Sequence, residues 1–439
     1  MATLETPKIA SGRGQLSWIS ADAWQQICDY GPTFATEFTV MASQIVAYKL
    51  AAHFLGKQGF SEYALARRAI STIYPIALLG FAVGLPRYIA ISTGHENAER
   101  RDRFFGATLC CVGTAAAALI ALMNLMPAKF AYLAYGSVSY KALALPVSLI
   151  IGGLTLHAVV YSYFRGHRLM TRANILQFTN LAVVPVLGFS IASDEVRSVL
   201  LAIGLLTIVV SSLGLLFTPW QQMAANSLAE AKMLLRYSVP RVPGDFALMA
   251  LLGLPAFLVA HQAGVQAAGY VAFGVSVLSM IGAVFAPVGL ILLPKSSQMI
   301  ASGAGEELRG HVMRIITLAL VIALGLTALA YLTADPFVRL YLGTDYSGVA
   351  KILRVICLGA VPFALFQVTR NLLDAFHELA VTSAFLIISL CVFGVGVLSL
   401  RSMSNSTAGI LISLLAAILV LGLLTLLESF RILRRLRSA

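Results

Sequence analysis

Charge is scarce in this sequence of 439 residues. Asp, Glu, Lys and Arg make up 11% of the chain, whereas soluble globular proteins carry roughly 25% charged residues. Hydrophobic residues make up 59% of the chain, and the mean hydropathy is +0.86. This composition excludes an ordinary soluble domain and predicts a protein that lies largely within a lipid bilayer.

Signatures of catalysis and of metal binding are missing from the sequence. It contains no GxxxxGK[ST] phosphate loop, no HExxH and no GxSxG, and no polar segment is long enough to form a nucleotide-binding domain. The five cysteines are scattered without the spacing of a metal site. We therefore predict no cofactor, no metal centre and no ATP hydrolysis by this chain.

Apolar runs of about 20 residues recur along the whole chain, which is the length that crosses a bilayer as a helix. Backbone groups in lipid must bond within the protein, and the runs are continuous rather than alternating, so helices are predicted rather than a barrel. The twelve predicted spans are residues 30–55, 61–92, 104–126, 142–164, 173–192, 198–218, 237–261, 267–294, 312–333, 350–373, 379–400 and 407–429.

The two halves of the chain carry a sparse internal repeat. Four pairs of identical residues are each separated by 208 positions: Pro32 and Pro240, His53 and His261, Gly56 and Gly264, and Pro86 and Pro294. The predicted fold class is thus an all-α polytopic membrane protein with about twelve transmembrane helices in two six-helix bundles. The predicted domains are a tail (1–26), a first bundle (27–219), a connector (220–236), a second bundle (237–430) and a basic tail (431–439).

The net charge of +12 is explained by the membrane, and nucleic acid is not predicted as a partner. The two tails and the loops after even-numbered spans hold 19 of the 31 Lys and Arg residues, and the opposite loops hold 8. Basic loops stay on the cytoplasmic side. Both termini are therefore predicted to be cytoplasmic, and both halves begin from the same side, as in a parallel repeat.

Four basic residues fall inside spans 1 and 2: Lys49, Arg67, Arg68 and Arg87. An ionised group at the bilayer centre costs at least about 2.5–3.5 kcal/mol, so such groups usually face a watery cavity or a partner. Arg67 shares a helical face with Tyr63 and Tyr74, while Arg68 points about 100° away. For Arg68, extension of the side chain toward the headgroups is the alternative, and for Arg87, at the inner boundary of span 2, it is the prediction.

Two acidic residues occupy equivalent repeat positions, since Glu37 and Asp245 are 208 residues apart. On span 1, Glu37 shares a polar face with Gln44 and Tyr48, which is typical of a cavity wall. We predict Glu37 and Asp245 as ion-coupling groups. Asp245 also has Arg241 four residues earlier, so a salt bridge within the helix is the alternative.

Substrate binding is assigned to basic, aromatic and amide side chains of spans 1 and 2. The predicted substrate-binding residues are Gln44, Tyr48, Lys49, Tyr63, Arg67, Arg68 and Tyr74. The polar residues His157 and Asn180, in spans 4 and 5, are interpreted instead as packing or interhelical hydrogen-bonding groups.

The loop between the first two spans resembles that of polysaccharide flippases. This segment reads Leu55-Gly56-Lys57-Gln58-Gly59-Phe60-Ser61-Glu62-Tyr63. The segment Gly84-Leu85-Pro86-Arg87-Tyr88 is similar to the end of that family's second helix. These flippases belong to a superfamily that also contains MATE multidrug exporters and lipid II flippases. Ser61 stands where the family pattern often has glycine.

The resemblance implies two bundles around a cavity between them and a transporter rather than an enzyme. It implies translocation of a polyprenyl-diphosphate-linked oligosaccharide across the bacterial inner membrane by alternating access, for surface polysaccharide synthesis. Implied partners are that substrate, membrane lipids, a polysaccharide polymerase and glycosyltransferases. The alternatives are a cation-coupled MATE-type drug exporter and a membrane enzyme of the same pathway.

Overall fold

The computed structural model describes residues 21–94, 98–192, 194–221, 227–285, 305–376, 381–400 and 406–438, and every regular element in these residues is helical. The first half contains α1 (Ala21–Phe54), α2 (Gly56–Ala77), α3 (Phe81–Gly94), α4 (Ala98–Leu125), α5 (Pro127–Tyr135), α6 (Ala144–Gly166), α7 (Met170–Gln177), α8 (Val184–Ile191) and α9 (Val196–Leu215). The second half contains α10 (Leu228–Ser238), α11 (Val242–Ala283), α12 (Gly305–Tyr341), α13 (Ser347–Cys357), α14 (Ala360–Phe376), α15 (Val381–Ser399) and α16 (Ser406–Ser438).

The number of membrane-crossing segments agrees with the prediction. Eight single helices are long and apolar enough to cross a bilayer, and two bent pairs, α2 with α3 and α13 with α14, add one crossing each. Helix α1 is 34 residues long, or about 51 Å. Gly264 has non-helical φ and ψ angles of 82° and 172° and divides α11 into two segments. Counted with α1 and with α11 as two segments, these ten candidates become twelve helical segments in the described residues.

Several predicted boundaries differ from the structure. The second span is broken, because α2 and α3 are inclined by 44° across a turn in which Leu79 and Gly80 have positive φ. The predicted polar connector contains α10, which packs on α3 and α4. The predicted basic tail continues α16 as far as Ser438. Residues 1–20 of the first tail and the end of span 8 beyond Phe285 lie outside the described residues.

The repeat is visible in the backbone conformation at the turns. Gly56, between α1 and α2, has a φ of 63°, and Gly264, its repeat equivalent within α11, has a φ of 82°. This left-handed conformation is accessible to glycine without the steric cost that a Cβ atom imposes. Gly136 and Gly343, 207 residues apart, also have positive φ. Both halves therefore change direction at the same points of the repeat.

Helix α2 and the second segment of α11 pack along the pseudo-two-fold axis of the repeat. Ser61 lies against Gly269, where an added Cβ would be 2.3 Å from the Ser61 Cα, and these positions are 208 apart. Seven residues further on, Arg68 binds Ser276, which is also 208 positions away. Residues that meet their own equivalents lie on the symmetry axis. Because α2 makes two such contacts with α11, the pseudo-two-fold axis runs parallel to these helices, as expected for a parallel repeat.

At the end of the molecule that carries the α1–α2 turn, two tyrosines of the second half contact α1. The Tyr346 hydroxyl donates to the Ala52 carbonyl at 3.1 Å, and the Tyr341 hydroxyl donates to the Ile45 carbonyl. At the other end, Arg87 donates to the Tyr237 hydroxyl at 2.7 Å. Arg87 is exposed, so the predicted extension toward the headgroups stays a prediction beside this contact.

Candidate functional site

A cavity of about 470 Å³ lies inside the first bundle. We call it the N-bundle cavity. Its polar lining consists of Gln44, Tyr63, Arg67, Ser71, Tyr74, His157, Tyr161, Ser162, Arg165, Gln177, Asn180 and Thr207. All of its lining residues come from α1, α2, α3, α6, α8, α9 and the span formed by α7 and the turn after it. The resemblance implied a cavity between the bundles, whereas this one is enclosed by a single bundle.

Four predicted substrate-binding residues line the N-bundle cavity: Gln44, Tyr63, Arg67 and Tyr74. The predicted face of α2 is thus brought together in one place. The Arg67 guanidinium donates to the Tyr63 hydroxyl at 3.4 Å and lies 5.4 Å from the ring centroid of Tyr48. Aromatic faces stabilise a cation without neutralising it, so Arg67 keeps its full charge toward the cavity.

The predicted residues Arg68 and Tyr48 do not line the cavity. Arg68 is buried and donates to the Ala272 carbonyl at 3.3 Å and to the Ser276 hydroxyl at 2.5 Å. The Tyr48 hydroxyl lies 2.7 Å from the same Ser276 oxygen. Arg68 and Tyr48 therefore hold the two halves together near the pseudo-two-fold axis. The predicted alternative of headgroup contact does not apply to Arg68.

Lys49 also lies away from the cavity. Its exposed ammonium group donates to the Leu340 carbonyl at 3.4 Å and lies 5.9 Å from the ring centroid of Tyr341. Lys49 therefore belongs to the contact between the halves, beside the hydrogen bond of Tyr341.

The polar face of α1 forms hydrogen bonds to a π turn in span 5, the span made of α7, this turn and α8. Residues Phe178–Val183 form a π turn between α7 and α8, and Pro185 follows it. Proline has no N–H and therefore cannot bond to the carbonyl four residues earlier. The Gln44 amide donates to this carbonyl, that of Leu181, at 3.1 Å. Ser43 donates to the next carbonyl, that of Ala182, at 2.5 Å.

The two predicted ion-coupling residues have different surroundings. Glu37 accepts a hydrogen bond of 2.8 Å from the Gln177 amide, and Gln177 lines the N-bundle cavity. Asp245 is exposed and lies among the charges of Arg370, Arg241 and Asp374. Within the described residues Asp245 forms no ion pair within 4 Å, because the Arg241 guanidinium stacks on Tyr237 at 4.1 Å. The alternative salt bridge between Asp245 and Arg241 is therefore not formed.

Sequence reasoning assigned no binding role to the other eight polar residues of the cavity wall, among them His157, Arg165, Gln177 and Asn180. The Asn180 amide bonds to the His157 ring nitrogen at 3.1 Å and to the Ser211 hydroxyl at 2.9 Å. The predicted interhelical hydrogen bonds are thus present, yet the same residues also face the cavity. A polar residue every three positions in 174–180 was the available signal, since Asn174 and Gln177 both bond to α1.

The cavity wall carries positive charge, and the acid Glu37 lies behind the wall, bonded to Gln177. Arg67 and Arg165 line it, and no Asp or Glu does so among the described residues. Arg165 lies 5.6 Å from the ring centroid of Tyr161. Arg67 is half-buried and Arg165 is exposed. No group of three His, Cys, Asp or Glu side chains suited to a metal occurs in the described part of the chain.

Solved structures of membrane transporters share this architecture of two repeated helical bundles. An inward-facing multidrug transporter of the MATE family and MOP superfamily matches with a TM-score of 0.77 and 16% identity, over 91% of this chain and 96% of that one. The inward closed form of the lipid II flippase MurJ matches with a TM-score of 0.71 and 14% identity, over 92% and 87%. The eukaryotic MATE transporter AtDTX14 matches with a TM-score of 0.70 and 13% identity, over 94% and 99%.

At these identities the similarity establishes the fold. No protein-family model matches the sequence, and no curated protein matches it significantly. The predicted fold class is confirmed, with twelve helices in two repeated bundles. The matched structures are transporters and a flippase.

Proposed function

We propose that this protein is a flippase that moves a polyprenyl-diphosphate-linked oligosaccharide across the bacterial inner membrane by alternating access. The observation that carries the proposal is the N-bundle cavity, whose wall contains Arg67 and Arg165 and, among the described residues, no Asp or Glu. Two guanidinium groups in one wall select an anion, because arginine offers paired donors to phosphate or carboxylate oxygens. The polar headgroup crosses inside the protein, and the lipid tail stays in the bilayer.

Energy coupling is assigned to Glu37, with Asp245 as its repeat equivalent. Glu37 contacts the cavity wall through Gln177. A change in the charge of Glu37 therefore changes the electrostatic potential at the wall. Binding of a proton or a cation there neutralises the acid nearest to the two arginines. The cycle is thereby linked to an ion gradient. Membrane lipids and the polymerase and glycosyltransferases of the polysaccharide pathway are the proposed partners.

The second candidate is a MATE-type multidrug exporter, and the similarity to MATE structures supports it. Multidrug substrates of the cation-coupled type are cationic or neutral, and the cavity charge repels cations. A panel of drug susceptibilities on a deletion strain separates the two functions. Unchanged susceptibility together with loss of a surface polysaccharide favours the flippase.

The decisive experiment measures lipid-linked sugar in the deletion strain. A missing flippase leaves its substrate on the cytoplasmic leaflet, so we expect lipid-linked oligosaccharide to accumulate and surface polysaccharide to disappear. The wild-type chain restores export, and Arg67→Ala at equal protein level does not. Normal surface polysaccharide and no accumulation in the deletion strain would refute the proposed function.

A further inference from the structure

Tyr48 connects the two adjacent arginines of α2 through different parts of its side chain. Its ring centroid lies 5.4 Å from the guanidinium carbon of Arg67. Its hydroxyl lies 2.7 Å from Ser276 Oγ, and Arg68 donates to the same oxygen at 2.5 Å. Adjacent residues of a helix point about 100° apart, so Tyr48 joins two side chains that face different neighbours. Only 1% of its surface is exposed.

The hydrogen bonds at Ser276 define the direction of the Tyr48 proton. The Ser276 hydroxyl donates to the Ala272 carbonyl at 2.9 Å, which uses its single proton. The Tyr48 hydroxyl is therefore the donor to Ser276, since in the reverse direction its buried proton would have no acceptor among the described residues. Ser276 Oγ thus accepts from Tyr48 and from Arg68. Both bonds join the halves, because Ser276 belongs to the second half.

Of these three first-half side chains, Arg67 alone lines the N-bundle cavity. Arg67 is half-buried, and its described contacts on the protein side are the Tyr48 ring and the Tyr63 hydroxyl, which it reaches at 3.4 Å. An aromatic face binds a cation more weakly than phosphate or carboxylate does, because the anion accepts two charge-assisted hydrogen bonds from one guanidinium. An anion in the cavity therefore draws Arg67 away from Tyr48.

Departure of Arg67 weakens the contacts that Tyr48 makes with the second half. A cation over the ring withdraws electron density from the phenol, so the hydroxyl is a stronger donor to Ser276 while Arg67 lies there. The Tyr48 ring also packs edge-on against Phe273 at 5.2 Å, and Phe273 stacks on Tyr341 at 6.1 Å. Tyr341 bonds to α1. Movement of the Tyr48 ring therefore affects two contacts between the halves.

We infer that Tyr48 is a positioning residue that links anion binding in the N-bundle cavity to the contact between the halves. While Arg67 lies on the Tyr48 ring, the bond to Ser276 holds the halves together. When Arg67 turns to an anion, that bond weakens and the halves separate more readily. The anion and Tyr48 thus bias one equilibrium, between halves in contact and halves apart. The inference rests on the proposed function for the nature of the ligand, whereas the link through Tyr48 is tested without a ligand.

Separation of the halves is measured by cysteine labelling at Ser61, which is buried where α2 meets Gly269 on the pseudo-two-fold axis. Ser61→Cys is introduced into a chain in which the five native cysteines are replaced. The purified protein in nanodiscs is treated with a membrane-impermeant maleimide. Arg67→Gln removes the cation from the Tyr48 ring and should raise the labelling rate about threefold to fivefold. In the Tyr48→Phe background, which already lacks the hydroxyl bond, Arg67→Gln should give no further increase.

Two variants are matched controls for this measurement. Arg165→Gln removes the other arginine of the cavity wall, which lies over Tyr161 rather than Tyr48, and should leave the labelling rate unchanged. Tyr346→Phe removes a hydroxyl bond between the halves that does not involve Arg67. It should raise the labelling rate, and Arg67→Gln should raise that rate again by the same factor as in the parent protein.

Independent effects would overturn the inference. If Arg67→Gln raises labelling by the same factor with Tyr48 and with Tyr48→Phe, the two side chains act separately. No change in labelling for Arg67→Gln in the parent protein would overturn it as well. Ser276→Ala removes the same bond from the other side and replaces Tyr48→Phe in the cycle where that variant does not fold.

Inorganic pyrophosphate is the probe for the effect of an anion. It should raise the labelling rate of the parent protein several-fold and leave that of Tyr48→Phe unchanged. An equal increase in both proteins would refute the role of Tyr48 and leave the proposed function standing. The flippase itself is judged separately, by lipid-linked sugar in the deletion strain.

Discussion

The two halves share one arrangement of helices and turns but differ in the side chains of their interiors. In the first half, Gln44 and Arg67 face a polar cavity. At the same positions of the second half, 208 residues later, stand Leu252 and Val275, which are buried in the hydrophobic core. The helices, the turns at Gly56 and Gly264 and the contact along the axis are common to both halves. Duplication of a bundle therefore preserved its turns, while the chemistry of the space inside diverged.

This difference is the basis for our proposal that substrate specificity resides in the first bundle. Apolar side chains at Leu252 and Val275 stabilise the second bundle by excluding water, whereas the polar wall of the first bundle forgoes that stabilisation. The asymmetry predicts that substitutions at equivalent positions have unequal effects.

The largest effect is expected for Arg67→Ala compared with Val275→Ala. Loss of a charged hydrogen-bond donor to an anion costs about 1.5–3 kcal/mol, so Arg67→Ala should lower export about tenfold to hundredfold. Val275→Ala removes only apolar volume and should lower the melting temperature while transport per folded molecule remains. Export is measured as surface polysaccharide at matched protein level. Equal export by the two variants would remove the functional distinction between the halves.

A smaller effect is expected at the contact that both halves share. Arg68→Ala removes the donors to Ala272 and Ser276 and leaves both acceptors buried, so it should lower thermal stability and export several-fold. It should also increase labelling of a cysteine introduced near the α1–α2 turn by a membrane-impermeant reagent, because the halves separate there more often. Ser276→Ala should do the same to a lesser degree. Labelling that stays at the wild-type level in Arg68→Ala would show that this contact does not hold the end closed.

The two repeat-equivalent acids provide a subtler comparison. Glu37→Gln weakens the bond to Gln177 and removes the charge next to the cavity, so transport should fall a few-fold and lose its dependence on the coupling ion. Asp245 lies near Arg241 and Arg370, and transport by Asp245→Asn should still depend on the coupling ion. The measurement is transport in proteoliposomes against pH and sodium. Loss of ion dependence in Asp245→Asn alone would place coupling in the second half.

The smallest effect is expected for Lys49→Ala. Lys49 is exposed and makes one 3.4 Å hydrogen bond to the Leu340 carbonyl, and such exposed contacts contribute little. Export should change less than twofold. A loss of export as large as that of Arg67→Ala would indicate that Lys49 contacts the substrate.

Helical periodicity predicted correctly which residues of α2 share a face. The face of Tyr63, Arg67 and Tyr74 on α2 lines one cavity, because residues spaced by multiples of about 3.6 lie on one side of a helix. Periodicity does not indicate which neighbour a face meets, and Arg68 therefore proved to contact α11. The break between α2 and α3 also escaped prediction, because the apolar run continues through it.

The sequence alone determined that this protein lies in a membrane, that it is helical and that its halves repeat. These properties follow from composition, run length and residue spacing, which act locally along the chain. Tertiary structure decided that the first half is hollow and that Arg67 lines its cavity while Arg68 is bonded. The reason is that charge pairing and cavity formation depend on contacts between segments far apart in sequence, such as the contact of Arg68 with Ser276.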